Sequence, residues 1–380
     1  MSEGWLTLGI EEEFQIIDQE GQLRSHIETL LAEAVPLLGE DVKAEMLQSV
    51  VEVATPVCQD THEARRQVTR LRREVSRLLA PFALRIASAG THPFANWQEQ
   101  EITDLERYKM LEEEMQDVIR ELLIFGMHVH VAIPDPELRI EVANEARYFL
   151  PHLLALSTSS PFWMGRQTGL KSYRSVVWSR FPRTGIPPEF ASYDEFDNYT
   201  ELLVRTGSID NGKKVWWDLR PHCIYPTLEF RICDAATKVD EAICLAGLIQ
   251  AICAKLIKLR RSNLGFRKYL PNLIAENKWR ALRHGLDGQL IDFGKAAEVP
   301  MRQLALELLE FVDDVLDEMG SRSDVEYLHT ILAEGTSADR QLATYRQTGS
   351  LQAVVERLAE EPVAGIGELS VEERGLRAGH

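Results

Sequence analysis

An α+β fold built on an antiparallel or mixed sheet, curved and flanked by helices, is what this sequence predicts. Strands and helices follow one another irregularly, without the β-α-β beat of a doubly wound sheet. Several short segments alternate apolar and polar residues at period two, as half-buried strands do. One stretch, residues 240–259, is apolar nearly all round and reads as a buried helix.

Residues 8–17, Leu-Gly-Ile-Glu-Glu-Glu-Phe-Gln-Ile-Ile, form the first predicted strand. Period two puts Glu11 and Glu13 on one face and Glu12 on the other, as an outward-facing neighbour. A helix over residues 25–38 carries Ile27, Leu30, Leu31, Ala34 and Leu38 on one side. Residues 44–55 are mixed. Residues 60–79 form a helix that Asp60 or Thr61 can cap, with Val68, Leu71, Val75, Leu78 and Leu79 as its stripe. Residues 84–91 read as a strand, and 104–123 as an amphipathic helix with Leu111, Met115, Val118 and Leu122. In the strand 125–133, Phe125, Met127, Val129, Val131 and Ile133 face one way, and Gly126, His128, His130 and Ala132 the other. A helix around 140–156 and a long Pro/Gly/aromatic segment, 159–197, lead to strands at 215–219 and 227–234. From residue 301 the chain becomes a run of helices, over 301–319, 324–333, 337–347 and 351–360, before a Gly-containing tail from 362.

The chain has 380 residues, 45% hydrophobic and 27% charged, as in soluble globular proteins. A formal charge of -17 argues against nucleic-acid and anionic-membrane surfaces, which select basic patches. It leaves an anionic substrate such as ATP open, because bound Mg²⁺ reverses the local sign. No apolar run approaches the length of a membrane span. The N-terminus lacks the basic start and apolar core of a signal peptide. Cys58, Cys223, Cys233, Cys244 and Cys253 are scattered, with no CxxC pair, which suits free thiols in a reducing cytoplasm.

Chemistry concentrates in four places. Glu11 and Glu13 share a strand face, where like charges repel unless a cation holds them; a solvated acidic edge strand is the alternative. Glu45 and Glu52 sit among apolar residues at odd spacing, so they reach one site only if a bulge or turn intervenes near Gln48-Ser49. His128 and His130, at i and i+2, can reach a common metal or phosphate. Glu229 and Arg231 share a face of the strand 227–234, as a local ion pair or as part of a site. Arg220, Arg174, Arg180 and Arg183 add guanidinium groups suited to phosphate and carboxylate oxygens. There is no Walker loop, no GxGxxG and no nucleophile with its base. Five carboxylates on strand-like segments, a histidine pair and several arginines suit ATP held through Mg²⁺ on a sheet. Hard oxygen ligands favour Mg²⁺ or Mn²⁺ over zinc.

The matching stretches are Gly9-Ile10-Glu11-Glu12-Glu13-Phe14, Glu45 to Thr55, Gly126-Met127-His128-Val129-His130, Ser172-Tyr173-Arg174, Trp217-Asp218-Leu219-Arg220-Pro221 and Leu228-Glu229-Phe230-Arg231. In this order they make the chain resemble the carboxylate–amine ligases of the glutamate–cysteine ligase type 2 family. Asn277-Lys278-Trp279-Arg280-Ala281 and Gly285-Leu286-Asp287-Gly288 extend the likeness. The resemblance implies a glutamine synthetase-like catalytic domain over residues 1–300, with 301–361 as a helical extension of the same domain and 362–380 as a flexible tail. It implies that Glu11, Glu13, Glu45, Glu52, His128 and Glu229 are metal ligands. His128, His130 and Arg231 would meet phosphate, Arg231 and Arg220 would act in catalysis, and Arg174 and Tyr173 would bind substrate. Two or more Mg²⁺ or Mn²⁺ ions are expected, with ATP as co-substrate and small amino acids or amines as partners.

On that reading ATP phosphorylates a carboxylate, most simply the γ-carboxylate of glutamate, and an amine such as cysteine attacks the acyl phosphate. A cytoplasmic homodimer is expected. The alternatives are phosphotransfer onto a guanidino group on the same fold, a metal-dependent amidohydrolase using the His-x-His pair, and a non-catalytic nucleotide-binding protein.

Overall fold

The computed structural model describes residues 4–366. Its main sheet has seven strands: β1 (Leu8–Ile17), β2 (Val42–Ala44), β3 (Val50–Ala54), β4 (Arg85–Ala87), β5 (Gly126–Ala132), β6 (Leu219–Pro221) and β7 (Thr227–Asp234). The order across the sheet is β6-β7-β5-β1-β3-β2, and β4 pairs with the end of β1. Every pairing in it is antiparallel.

One face of this sheet is apolar. Leu8 and Ile10 of β1, Met127, Val129 and Val131 of β5, and Leu228 and Phe230 of β7 share a core with the helix Val239–Arg261. Phe14, Ile16, Val51 and Val53 pack under the helices Ile27–Leu38 and Thr61–Leu79. Fully burying one such side chain contributes roughly 1.5–3 kcal/mol. A slip of one residue would turn the whole set outward, so this face fixes the register of the polar one.

The helix Val239–Arg261 is long and apolar enough to cross a membrane, with a mean hydropathy of 1.9, which corrects the expectation that no run reaches span length. It is 83% buried inside the protein, as the sequence pattern indicates. The helix Met301–Met319 joins the same core through Met301, Leu304, Leu308 and Val312.

Several expected elements differ. The helix over 324–333 is two, Arg322–Val325 and Leu328–Glu334. The strand at 215–219 is split into Trp216–Trp217 and Leu219–Pro221, and that at 84–91 shortens to Arg85–Ala87. The helix over 104–123 is two, Glu106–Met115 and Asp117–Arg120, broken at Gln116. That residue has φ 51°, a left-handed conformation that ends a helix. The helix near 140–156 runs as Pro136–Ala146 and Leu150–Ser157, joined by a single 3₁₀ turn. Residues 362–366, expected to belong to a tail, are ordered on the fold at Pro362, which is buried and whose carbonyl accepts from Arg72 Nη1 at 3.3 Å. Residues 367–380 lie outside the described residues.

Candidate active site

Residues directly opposed in an antiparallel pair project from the same face. The register therefore sets a polar row across the sheet: Arg220 faces Glu229, Glu229 faces His130, Glu11 faces His128, Glu13 faces Glu52, and Glu52 faces Lys43. Chain reversal between β2 and β3 resolves the odd spacing of Glu45 and Glu52. Lys43 and Glu52 are opposed, and Glu45 lies two residues beyond Lys43 on the same face. A turn through Gln48-Ser49 makes the reversal, where the sequence calls for a bulge or turn.

Glu12 is the exception. It points to the opposite face, as parity requires, but not to solvent. Arg72 of the helix Thr61–Leu79 donates to it, with Nε 3.1 Å from Oε2. Arg72 also donates to the carbonyls of Ala236 and Thr237, which satisfies the buried guanidinium.

Two groups of donor atoms form on the polar face, each within 4.8 Å of one another: Glu11, His130 and Glu229, and Glu13, Glu45 and Glu52. Their electrostatics are opposite. In the first, Glu229 Oε2 accepts from Arg220 Nε at 2.8 Å, and its Oε1 accepts from Arg231 Nη1 at 2.5 Å. Burial works against ionisation of Glu229, yet Arg231, Arg220 and the two histidines hold its pKa well below the usual carboxylate range. Glu11 is likewise buried but lowered, through His128 and His130. His128 Nδ1 meets Glu11 Oε2 at 3.1 Å, while burial and then Arg231 push its imidazole down to about 4, so it is neutral.

The second group has less compensation. Burial, with Glu52 adding to it, raises Glu13 to about 7 although Arg174 pulls the other way. Burial and Glu13 raise Glu45 to about 7, and burial and Glu45 lift Glu52 well above its ordinary value. Lys43 Nζ stands 3.5 Å from Glu52 Oε1. Three carboxylates crowded this way are all ionised only when a cation is among them.

The donor sets fit divalent ions. Carboxylate oxygens dominate both, as hard cations require. His130 supplies the sharper observation. Its Nδ1 lies 3.0 Å from Thr227 Oγ1, which leaves Nε2 aimed between Glu11 Oε1 at 3.7 Å and Glu229 Oε1 at 4.0 Å. Nε2 is buried without a hydrogen-bond partner among the described residues. A buried nitrogen set between two carboxylates is what an ion would satisfy.

A cavity of about 390 Å³ opens over the second group. Glu11, Glu13, Glu45, Glu52, His128, Arg174 and Arg231 form its polar floor. Its far wall is apolar, from Leu111, Ile119, Leu122, Ile124, Trp178 and Phe181. Leu111 and Leu122 of the expected stripe therefore line the cavity while packing against Met46, Tyr108, Ile119, Trp178 and Phe181. Arg174 passes over Gly126 so closely that a Cβ there would lie 2.4 Å from its Nη2. The start of its helix is fixed by Ser160 Oγ, which accepts the Arg174 N–H at 3.0 Å and itself donates to Asp234.

Not every expected residue arrives. His130, where His128 was expected, completes the Glu11–Glu229 group; His128 binds Glu11 and lines the cavity. Arg220 is turned inward, donating to Glu229 and to the carbonyls of Lys213 and Val215, so it positions Glu229. The Tyr173 ring packs on Trp163 with centroids 5.3 Å apart and is not among the residues that line the cavity. Arg180 pairs with Glu121, and Arg183 donates to the Lys214 carbonyl at 2.9 Å. Lys43, Arg107, Tyr108, Trp178 and Lys213 line the cavity without having been singled out. Only Lys43 carried a signal, since its spacing from Glu45 places the two on one face of a strand.

The sequence matches the family described as glutamate–cysteine ligase family 2 over residues 7–357. It is 58% identical over 361 residues to a protein of Herpetosiphon aurantiacus named "Putative glutamate--cysteine ligase 2", covering 95% of this chain and 94% of that one. The fold is similar to the crystal structure of glutamate–cysteine ligase from Francisella tularensis in complex with AMP. That match has a TM-score of 0.70 at 14% identity and covers 98% of this chain and 91% of the other. A bifunctional glutathione synthetase from Pasteurella multocida also shares the fold, with a TM-score of 0.71 at 16% identity over 95% of this chain. This chain spans about half of that longer one, 52%.

Proposed function

Since the chain belongs to glutamate–cysteine ligase family 2 and is therefore an ATP-dependent carboxylate–amine ligase, we propose that it joins the γ-carboxylate of glutamate to cysteine or another small amine through an acyl phosphate. The observation that carries this reading is the division of one polar face into two clusters of side chains able to ligate a metal, rooted in Glu11 and Glu13 of the same strand. One group is balanced by arginines and histidines and suits the phosphates. The other opens on the cavity and suits the carboxylate and the incoming amine.

Two Mg²⁺ or Mn²⁺ ions, one per group, would supply charge compensation for the phosphates. Glu11, His130 and Glu229 would hold one ion; Glu13, Glu45 and Glu52 the other. Arg231, which reaches the cavity while paired to Glu229, would stabilise charge on the transferring phosphoryl group. Arg220 keeps Glu229 ionised and aimed. Arg174, beside Glu13, would orient the acid substrate. The acyl carbon then takes the amine and releases phosphate.

A ligase family weighs against the guanidino phosphotransferase and the metal-only amidohydrolase. The test is ADP release in Mg²⁺ with glutamate and a panel of amines, cysteine first. Amine-dependent ADP formation with an equimolar amide supports the reading. A stable phosphorylated product without amide, or amide cleavage without ATP, refutes it.

A further inference from the structure

The turn between β6 and β7, residues 222–226, lies beside His130 of the Glu11–His130–Glu229 group. It is built to hold two apolar side chains in water. Ile224 is 59% exposed and Tyr225 58% exposed. His222 beneath them is buried, and its Nδ1 accepts the backbone N–H of Ile224 at 3.2 Å and of Tyr225 at 2.9 Å. The Tyr225 ring lies almost flat on His222, with centroids 4.8 Å apart and planes 13° apart. His222 in turn meets the edge of His130 at 5.5 Å. Tyr225, His222 and His130 thus form one run of rings from solvent to the ion-binding group. One face of Tyr225 is used by His222; the exposure belongs to the rest of the ring. Exposed aromatic surface held in place beside a polar centre is available to a ligand with a flat apolar face.

We propose that this turn is the nucleobase platform: the adenine of ATP stacks on the open face of Tyr225, flanked by Ile224, with its phosphates over Glu11, His130 and Glu229. The inference rests on the reading that ATP is bound at that group. Three features favour a base as the occupant. An aromatic ring and an aliphatic neighbour suit a flat π-system, which needs a stacking surface more than hydrogen bonds. The platform is continuous with the group suited to phosphate, as a nucleotide requires. Neither Ile224 nor Tyr225 is among the residues that line the cavity with Glu13, Glu45 and Glu52, which leaves that space for the acid and the amine. The hydrogen bonds from the turn to His222 pre-organise the ring, so little ordering is required on binding.

The test compares ATP with inorganic triphosphate, each titrated into the full-length protein in Mg²⁺. Tyr225→Ala is expected to weaken ATP about tenfold, the scale for losing one base–aromatic stack, and to leave triphosphate binding unchanged. Tyr225→Trp is expected to restore ATP affinity. In turnover, Tyr225→Ala should raise the KM for ATP by a similar factor with the KM for the acid unchanged. Unchanged ATP affinity in Tyr225→Ala would overturn the proposal, and so would an equal loss for ATP and triphosphate. If the unaltered protein binds triphosphate but not ATP, or neither, the ATP reading itself fails.

Discussion

Replacing Glu13 by Gln should make the ion-free protein more stable while removing its activity. Glu13 is held at about 7 against an ordinary 4.5, because burial penalises its charge and Glu52 repels it. Between those two values the folded state binds a proton that the unfolded chain does not, so stability falls as pH rises through the window. Above pH 7 the full difference applies, and at 1.36 kcal/mol per pH unit it is roughly 3 kcal/mol. At pH 5 the carboxyl is mostly protonated in the folded protein and the penalty shrinks to roughly 1 kcal/mol. Gln keeps the shape and an oxygen to accept the Gly126 N–H, which lies 2.6 Å from Glu13 Oε2. Urea unfolding in chelator should show Glu13→Gln gaining about 1–3 kcal/mol over the unaltered protein at pH 8 and much less at pH 5. Added Mg²⁺ should reverse the ranking, since a ligand at 100 times its Kd adds about 2.7 kcal/mol to the form that binds it. A variant less stable at pH 8 without divalent ions, or one stabilised by Mg²⁺ as strongly as the unaltered protein, would refute the reasoning.

The two glutamates of the other group should respond differently from each other. Glu11→Gln should abolish turnover and cost some stability, because His128 and His130 favour the ionised carboxylate that it removes. Glu229→Gln should also abolish turnover but cost about 3–5 kcal/mol in urea unfolding, because Arg220 and Arg231 lose their shared carboxylate. Equal stability of the two variants would count against that difference. Arg72→Met should destabilise by a similar 3–5 kcal/mol by leaving Glu12 buried and unpaired, and adding Glu12→Gln should recover part of the loss. A single variant as stable as the unaltered protein would mean the pair is not holding this layer. Gly126→Ala should displace the Arg174 guanidinium and raise the KM for the acid at least tenfold with the KM for ATP unchanged. An unaltered acid KM would separate Arg174 from substrate binding.

Strand patterning made the site's frame legible. The alternation in residues 8–17 and 125–133 fixes which side chains share a face, and those strands lie at the centre of the sheet. Glu12 shows the limit of parity, which gave its direction but not its burial, because Arg72 comes from a helix 60 residues on. Glu45 and Glu52 looked mismatched only while treated as one strand; a hairpin reverses the chain and restores the match. The choice between His128 and His130 lay beyond reach because both share a face. Only the Thr227 hydroxyl, from another strand, turns His130 toward the carboxylates. The apolar cavity wall was hidden for a related reason: a helix stripe lining a pocket has the same periodicity as one lining a core. The break at Gln116, which no proline or glycine announces, shapes that wall.

The central claim is that a substrate carboxylate is phosphorylated by ATP on this face before the amine attacks. Glutamate labelled with ¹⁸O in its γ-carboxylate tests it most directly, by mass analysis of the phosphate released during amine-dependent turnover. One ¹⁸O should be transferred to phosphate for each amide formed, since the carboxylate oxygen that attacks phosphorus leaves with it. Amide formation with unlabelled phosphate would contradict it.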